Sequence, residues 1–234
     1  MLSTDPKPSD KKMEIKPIAF FRSPFTSKFG IPKQSGLVRE LRGRIVFEPA
    51  YRNRDYLRGL DAFDYIWLLW EFSANPHRAV SPVVRPPVLG GNEKMGVFAT
   101  RSPFRPNSIG LSSVLVDRIE WDTPHGPVVH VLGADLMDGT PIFDIKPYIV
   151  YADSHPSARS GFVDSRSWRR LAVHIPDHIA SCFSADELQT LRCVLELDPH
   201  PHYKNDPHKV YGMPFAGRDV HFRIIGNDLF VVSL

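Results

Sequence analysis

The sequence predicts a mainly β fold, in which a small β-barrel is followed by a C-terminal α+β extension. The 234 residues include 22 prolines, about twice the usual share of roughly 5%, and this disfavours a helical bundle. Short strand-like segments recur through the first two thirds of the chain, and the clearest helix signal comes late. A chain of this length can bury a sizeable core.

The predicted strands are rich in β-branched or aromatic residues and are bounded by Gly, Pro or Asp. They cover residues 16–22, 44–48, 64–72, 96–101, 111–119, 128–132 and 142–148. Residues 55–60 are predicted to form one helical turn before the third strand. Seven short strands at this spacing favour a closed or nearly closed barrel, and a sandwich is the alternative.

The second part of the chain begins with a change of composition. Residues 154–170 are rich in Ser, Arg, Asp and Gly, which indicates a linker. Ser184 and Glu187 then form the pattern of a capping box, which predicts a helix after Ser184. Two closing strands are predicted around a Gly226-Asn227 turn. The predicted domains are a disordered tail (1–14), a barrel (15–155) and a small α+β domain (165–234).

The net charge and the pattern of apolar residues restrict the partners and the cellular location that are expected for this protein. The formal net charge is +3, which allows an acidic partner without requiring one. The N-terminus lacks the apolar core of an export signal, and the longest apolar run, 65–70, is too short to span a membrane. This run is predicted to be a strand buried on both faces. Cys182 and Cys193 fall in one predicted helix and are too far apart to pair, so a cytoplasmic location is predicted.

The most informative segment is residues 85–112, RPPVLGGNEKMGVFATRSPFRPNSIGLS. Turn-forming residues interrupt it repeatedly, while Arg101, Arg105, Asn107 and Ser112 offer directional hydrogen bonds. Guanidinium groups beside backbone groups without strand partners suit a polar ligand that carries a carboxylate or phosphates. The alternative is a long surface loop without a ligand.

A second polar segment, DLMDGTPIFDIKPY, carries Asp135, Asp138 and Asp144. Asp138 begins an Asp-Gly-Thr-Pro turn, which is a structural role compatible with ligand contact by the backbone of the turn. Asp144 alternates with apolar neighbours, so Lys146, two residues later, lies on the same face of the strand.

Several common site patterns are absent from the sequence. It contains no glycine-rich dinucleotide fingerprint, no P-loop and no nucleophile elbow. No metal site is predicted, because His200, His202 and His208 lack the context of a zinc site and are more typical of a solvated loop.

The chain resembles the TsaA-like or TrmO family, whose characterised members are S-adenosylmethionine-dependent tRNA methyltransferases. The similarity lies in RPPVLGGNEKMGVFATRSPFRPNSIGLS and the following GADLMDGTPIFDIKPY. Supporting segments are FFRSPFTSKFGIPKQSGLV, YLRGLDAFDYIWLLWEF, LELDPHPHY and YGMPFAGRDVHFRI, so that residues 15–234 are covered. These motifs are long and ordered, and far more specific than a four-residue pattern.

The resemblance implies a β-barrel methyltransferase that forms a homodimer and uses S-adenosylmethionine. It implies methylation of N6 of threonylcarbamoyl-adenosine at position 37, in the anticodon loop of threonine tRNA. Matched by position, the implied cofactor contacts are Pro32, Lys33, Gln34, Phe72, Ser73, Arg101, Leu111, Asp135, Leu136, Met137 and Asp138. The implied catalytic residues are Arg105 and Asn107, beside the transferred methyl group, and Asp138 and Asp144, either of which is a candidate acceptor of the N6 proton.

The chain departs from the family pattern at two main places. Where the family has Asn-Pro-Ile-Gly, this chain has Asn107-Ser108-Ile109-Gly110, so no pyrrolidine ring restricts φ at Ser108. The stretch 132–135 is one residue shorter than in relatives, which shifts the matched positions there. Two other functions are compatible with these departures: a non-catalytic RNA-binding barrel, and a methyltransferase acting on another RNA or a small molecule.

Overall fold

The computed structural model describes residues 14–75, 81–89, 93–164, 170–200, 206 and 208–234. The strands and α-helices found there are β1 (Ala19–Arg22), β2 (Arg42–Phe47), β3 (Tyr65–Glu71), β4 (Val83–Val84), β5 (Met95–Gly96), β6 (Ile109–Glu120), β7 (Val128–Leu132), β8 (Pro141–Pro147), α1 (Val150–Asp153), β9 (Ala172–His174), α2 (Asp177–Ala180), α3 (Ala185–Glu196), β10 (Tyr211–Phe215), β11 (Arg218–Ile225) and β12 (Asp228–Ser233). All but the last residue of the predicted tail, and residues 165–169 of the predicted linker, lie outside the described ranges.

Six strands form an antiparallel ring in the order β1-β2-β7-β6-β3-β8. The contact between β1 and β8, which completes the ring, has only two paired positions, Ala19 with Ile142 and Phe20 with Pro141. The pairs of β3 with β6 and β8 are much longer. The prediction of a mainly β fold is confirmed, and the predicted barrel takes the form of this ring.

The interior of the ring is filled by alternate side chains of its strands. In β3, Ile66, Leu68 and Trp70 are buried, whereas Tyr65 is 44% exposed and Trp67 is half-buried. The prediction that this strand is buried on both faces is therefore wrong. Its inner face packs into the core of the ring, and its outer face stays partly accessible.

A second core lies between α3 and the C-terminal sheet, whose order is β10-β11-β12-β9. Leu191 of α3 and Phe222 of β11 are fully buried there. Phe25, Val38 and Leu41, from the connection between β1 and β2, belong to the same core. The second core therefore draws on residues from both ends of the chain.

The predicted capping box and closing hairpin are both present. Ser184 Oγ accepts the backbone N–H of Glu187 at 3.3 Å, and the Glu187 carboxylate accepts the backbone N–H of Ser184 at 2.9 Å. Ile225 pairs with Asp228 around a turn in which Gly226 has φ +64°, a value that glycine adopts without strain. The predicted turn at 55–60 is found in part, as a 3₁₀ turn at Arg54–Leu57.

Other details of the prediction are wrong. The strand expected at 96–101 is reduced to Met95–Gly96, and Val97–Ala99 forms a 3₁₀ turn instead. Cys182 precedes α3 rather than belonging to it, and both cysteines are free. Strands β9 and β10 were not predicted. Among the described residues, no helix is long and apolar enough to cross a bilayer.

Candidate active site

Most of the predicted site lies in the connections at one end of the ring. Because neighbouring strands are antiparallel, the ends of β1, β3 and β7 meet the starts of β2, β6 and β8 there. The connections that follow β1, β3 and β7 therefore lie side by side, although they are far apart in sequence.

Hydrogen bonds join these connections to one another. The Gly36 backbone N–H donates to the Gly133 carbonyl, and the Asp138 N–H donates to the Phe25 carbonyl, both at 2.8 Å. The Lys28 ammonium donates to Asn75 Oδ1 at 3.0 Å. The three connections thus form one surface, on which side chains from each can meet a common ligand.

Arg101 and Gln34 meet on this surface. Arg101 Nη1 donates a hydrogen bond to Gln34 Oε1, across 67 positions of sequence. The Arg101 side chain is exposed, and its planar guanidinium carries further N–H donors beyond the one directed at Gln34. A guanidinium held in this way is suited to bind a carboxylate through two parallel hydrogen bonds.

Asp135 ends a chain of hydrogen bonds that starts inside the ring. Trp70 Nε1 donates to Ser112 Oγ at 2.9 Å, and Ser112 Oγ donates to Asp135 Oδ1 at 2.5 Å. Ser112 is 1% exposed, and among the described residues its hydroxyl forms side-chain hydrogen bonds with these two partners. Sequence reasoning noted Ser112 as a donor but left it and Trp70 out of the site.

Burial raises the pKa of the Asp135 carboxyl above its usual range. The hydrogen bond from Ser112, the nearby charge of Arg101 and the backbone N–H of Ser35 act in the opposite direction. The carboxyl is therefore costly to keep charged in a dry site. A ligand that donates hydrogen bonds, such as a ribose hydroxyl pair or an ammonium, would stabilise its ionised form.

We expect Asp135→Asn to raise the thermal stability of the ligand-free protein at neutral pH. Because the folded-state pKa is raised, the folded protein holds this proton more tightly than the unfolded chain does. Stability therefore falls as pH rises from the unfolded value of 3.8 through the folded pKa. Asparagine avoids this loss and still accepts from Ser112. Calorimetry should show a gain in Tm that is small near pH 4 and grows with pH, until it levels off.

The matched control for this experiment is Asp144→Asn. Asp144 is partly exposed and pairs with Lys146 at 2.9 Å, so its replacement should change Tm little. A Tm difference for Asp135→Asn that does not vary with pH, or a variant that melts lower than wild type at neutral pH, would contradict the assignment of a raised pKa.

The loop after Arg101 is held by its own backbone and by the end of β3. Arg105 Nη1 donates to the Thr100 carbonyl at 3.1 Å, and the Phe72 N–H donates to the Ser108 carbonyl at 2.9 Å. Ser108 has φ +31°, in the left-handed region that proline cannot enter. The loop in this conformation therefore excludes the proline that the family pattern has at this position. The Asn107 side chain is exposed beside it.

Asp138 is held by residues at the end of β1 and just after it. Its Oδ1 accepts the Ser23 N–H at 3.0 Å, and its Oδ2 lies 3.5 Å from Arg22 Nη1. It lines a cleft of about 510 Å³ between the ring and the start of α3, together with Arg42 and Arg44.

Asp144 and Leu111 lie on the outer surface of the ring. Leu69 of β3 pairs with Leu111 on one side and with Asp144 on the other. Leu111 is 50% exposed, and Asp144 is occupied by its ion pair with Lys146. The structure thus brings Gln34, Arg101 and Asp135 together, whereas the ion-pair partners described for Asp138 and Asp144 are Arg22 and Lys146.

The remaining predicted residues differ in their burial. Phe72 contacts the Trp70 ring edge to face, with centroids 4.4 Å apart. Of the others, Pro32 and Leu136 are buried, Met137 is half-buried, and Lys33 and Ser73 are exposed. Within the described part of the chain, no three His, Cys, Asp or Glu side chains are arranged to hold a metal ion. His202, one of the histidines singled out in the sequence, lies outside it.

The donor set fits a zwitterionic ligand with hydroxyl groups better than a purely anionic one. Arg101 offers a fork for a carboxylate, whereas Asp135 can only accept hydrogen bonds when it is ionised. S-adenosylmethionine combines a carboxylate, an ammonium and ribose hydroxyls, so the residues present are compatible with it.

Comparison with known proteins gives matches over nearly the whole chain. Residues 20–154 match the model of the tRNA-methyltransferase O N-terminal domain, and residues 169–234 match that of the TrmO C-terminal domain. A tRNA (adenine(37)-N6)-methyltransferase of Escherichia coli K12 is 37% identical over 230 residues, which are 94% of this chain and 97% of that protein.

A curated relative and a solved structure from Pseudomonas aeruginosa are also similar. A putative S-adenosylmethionine-dependent methyltransferase, RcsF, is 35% identical over 93% of this chain and 95% of its own length. The crystal structure of TrmO from that organism covers 95% of this chain and 98% of the solved chain, with a TM-score of 0.75 and 29% identity.

Proposed function

The chain belongs to the tRNA-methyltransferase O family, as its sequence indicated, and we propose that it transfers a methyl group from S-adenosylmethionine to N6 of threonylcarbamoyl-adenosine at position 37 of threonine tRNA. The names of similar proteins support two parts of this proposal, which are methylation of N6 of adenine 37 and S-adenosylmethionine as the methyl donor. The threonylcarbamoyl group and the threonine tRNA extend this proposal from the family resemblance.

The observation that carries the proposal is the meeting of Arg101, Gln34 and Asp135 at one end of the ring. Three segments distant in sequence supply the groups that S-adenosylmethionine needs. We assign Arg101 to the carboxylate of the cofactor, Asp135 to hydroxyl or ammonium donors, and the backbone of 133–138 to the adenine edge. The flanking contacts are Pro32, Lys33, Phe72, Ser73, Leu111, Leu136, Met137 and Asp138.

When bound, S-adenosylmethionine supplies an electrophilic methyl group on its sulfonium. The protein would have to orient N6 toward this methyl group and accept the proton that N6 loses. Arg105 and Asn107 are assigned to orient the acceptor base, because their loop adjoins Arg101 and ends at Ser108. In-line placement of two reactants is the main contribution that a protein makes to such a transfer.

Asp138 and Asp144 are the two candidates for the proton acceptor. They lie in different places, Asp138 beside Arg22 and Asp144 beside Lys146, so their roles can be separated. Single-turnover rates of Asp138→Asn and Asp144→Asn identify the acceptor as the residue whose loss slows the chemical step without weakening cofactor binding. Wild-type rates of the chemical step in both variants would exclude both residues.

The partner in this proposal is the anticodon loop of a tRNA. Its bases are single-stranded, so the modified adenosine can turn out into a protein site without opening a duplex. A cytoplasmic location is part of the proposal and is supported by two cysteines that are both free.

A homodimer that pairs through the outer face of β3 is also part of the proposal. Tyr65 is 44% exposed and Leu111 50%, and Tyr65 contacts Tyr148 with centroids 6.2 Å apart. Shortly after Tyr148 in the sequence, Val150 is 72% exposed and Tyr151 is 89% exposed. Exposed apolar side chains of this kind are typical of a protein interface.

We expect Tyr151→Asp to shift the protein from dimer to monomer, because a buried carboxylate in an apolar interface has no partner. Light scattering across a concentration series measures the change. Ile225→Asp, at a 44% exposed position of the C-terminal sheet, is the matched control and should remain dimeric. A wild-type protein that is monomeric at every concentration, or a dimer in which Tyr151→Asp has no effect, would refute this interface.

The reaction itself is tested with purified protein, methyl-labelled S-adenosylmethionine and two forms of threonine tRNA. Label is expected in tRNA that carries the threonylcarbamoyl group and not in an unmodified transcript, and nucleoside mass spectrometry should place it on N6. Label in neither form, under conditions where the Escherichia coli relative is active, would refute the proposal. Tight tRNA binding without any thermal shift from S-adenosylmethionine would instead favour a non-catalytic RNA-binding protein.

A further inference from the structure

The segment that carries Pro32, Lys33 and Gln34 is seated on the C-terminal domain. Phe29 and Ile31 pack against the second core. Gly30 has φ +88°, and a Cβ there would lie 2.1 Å from Sδ of Met213 in β10. The turn at Gly30, just before the predicted cofactor contacts, therefore packs closely against β10, which is more than 170 positions away in sequence.

A chain of side-chain contacts runs from this segment to the end of α3. The Phe29 ring stacks on the Tyr211 ring, with centroids 6.4 Å apart and planes 13° apart. The Tyr211 ring lies 5.8 Å from the His200 ring, and His200 Nδ1 is paired with Asp198 Oδ1. These contacts are largely shielded from solvent, since Tyr211 is buried and only 9% of the His200 side chain is exposed.

Asp198 links this chain of contacts back to the segment 29–34, because its negative charge acts on the Lys33 ammonium. Partial desolvation lowers the pKa of the Lys33 ammonium, although the residue as a whole stays exposed, and the nearby Asp198 carboxylate opposes that change. Asp198 also has φ +57°, which is the left-handed region and is uncommon for a residue with a side chain. This conformation is common in the residue that follows a helix C-cap, and it places Asp198 at the end of α3, where its carboxylate pairs with His200.

We propose that Asp198, held by His200, is a positioning residue that fixes Lys33 and thereby the Pro32–Gln34 part of the cofactor site. The C-terminal domain on this view completes the cofactor site. Because Gln34 accepts a hydrogen bond from Arg101, a displaced segment also releases the guanidinium assigned to the cofactor carboxylate. This inference rests on the proposed function, since it assumes that the surface binds S-adenosylmethionine.

The test compares Asp198→Asn with Asp228→Asn in the full-length protein. Asp228 forms the same type of pair with His174, at 2.7 Å and at a more exposed position of the same domain, and none of the hydrogen bonds or ion pairs described for it reaches residues 29–34. Calorimetric titration with S-adenosylmethionine and steady-state kinetics on modified threonine tRNA are the two readouts. Asp198→Asn should raise both Kd and KM for the cofactor about 5- to 20-fold, with kcat within about twofold of wild type. Asp228→Asn should change neither.

Two further variants separate positioning from a general loss of structure. Asp198→Glu keeps the charge and should recover at least part of the lost affinity. In a Lys33→Met background, Asp198→Asn should have little additional effect, because the two residues act through one another. Independent, multiplicative losses in that double variant would overturn the proposal, and so would equal losses in Asp228→Asn.

The outcome also distinguishes this inference from the proposed function. Wild-type protein that fails to bind S-adenosylmethionine would remove the cofactor assignment, and this inference with it. Wild-type protein that binds the cofactor, alongside an Asp198→Asn variant that binds it equally well, would overturn the positioning role alone.

Discussion

Replacing Arg101 with alanine should weaken S-adenosylmethionine binding about 10- to 150-fold, the usual effect of losing a hydrogen bond to a charged group. The Arg101 side chain is exposed, and Gln34 holds it from one side. Its remaining N–H groups are directed by that contact, so less entropy is lost when a carboxylate binds. Calorimetric titration measures the change in Kd directly.

Two other substitutions show whether the loss belongs to this guanidinium. Arg101→Lys keeps the charge but cannot bind a carboxylate through two parallel hydrogen bonds, so it should fall between alanine and wild type. Arg58→Ala removes an equally exposed arginine, paired with Asp55 on the surface, and should leave Kd unchanged. Full affinity in Arg101→Ala would mean that the carboxylate is held elsewhere.

Gly110→Ala should destabilise the protein by about 1–3 kcal/mol, which is the usual cost of overpacking a core. A Cβ at this position would lie 2.3 Å from Cε2 of Trp70, and Trp70 is only 7% exposed, so the indole has no open space to move into. Urea denaturation measures the free energy of unfolding. Movement of Trp70 would also loosen its hydrogen bond to Ser112, and through it the position of Asp135.

Gly96→Ala is the control for this substitution. No heavy atom lies within 4 Å of a Cβ built at Gly96, so the variant should unfold within about 0.5 kcal/mol of wild type. Comparable destabilisation of both variants would show that contact with Trp70 is not responsible.

The fold was predictable where a local pattern and the tertiary environment agree. The β-branched run 128–132 forms β7 with the predicted bounds, and Ser184 begins α3 with the predicted capping box. Strand β10 escaped prediction because Gly212 and Pro214 lower strand propensity. It forms because it is an edge strand of its sheet, where a proline does not remove a needed donor.

The active site could be located from the sequence only in part. The residue types of 85–112 indicated a polar ligand, and the family resemblance supplied individual contacts. Nothing in local patterning could bring Gln34 to Arg101, because that contact depends on strand order around the ring and on a connection packed against another domain. Ser112 was undervalued because a serine in a strand usually signals solvent, whereas here it faces inward between Trp70 and Asp135.

The second core has a consequence for how the chain reaches its native state during synthesis. Phe25, Val38 and Leu41 leave the ribosome early, yet their partners in α3 and the last three strands are made last. Until then these apolar side chains have no native neighbours in that core, and an exposed apolar segment of this kind favours aggregation or chaperone binding. Contacts between residues so distant in sequence also slow folding. The connection that carries Lys33 and Gln34 would therefore acquire its native shape only when translation is almost complete.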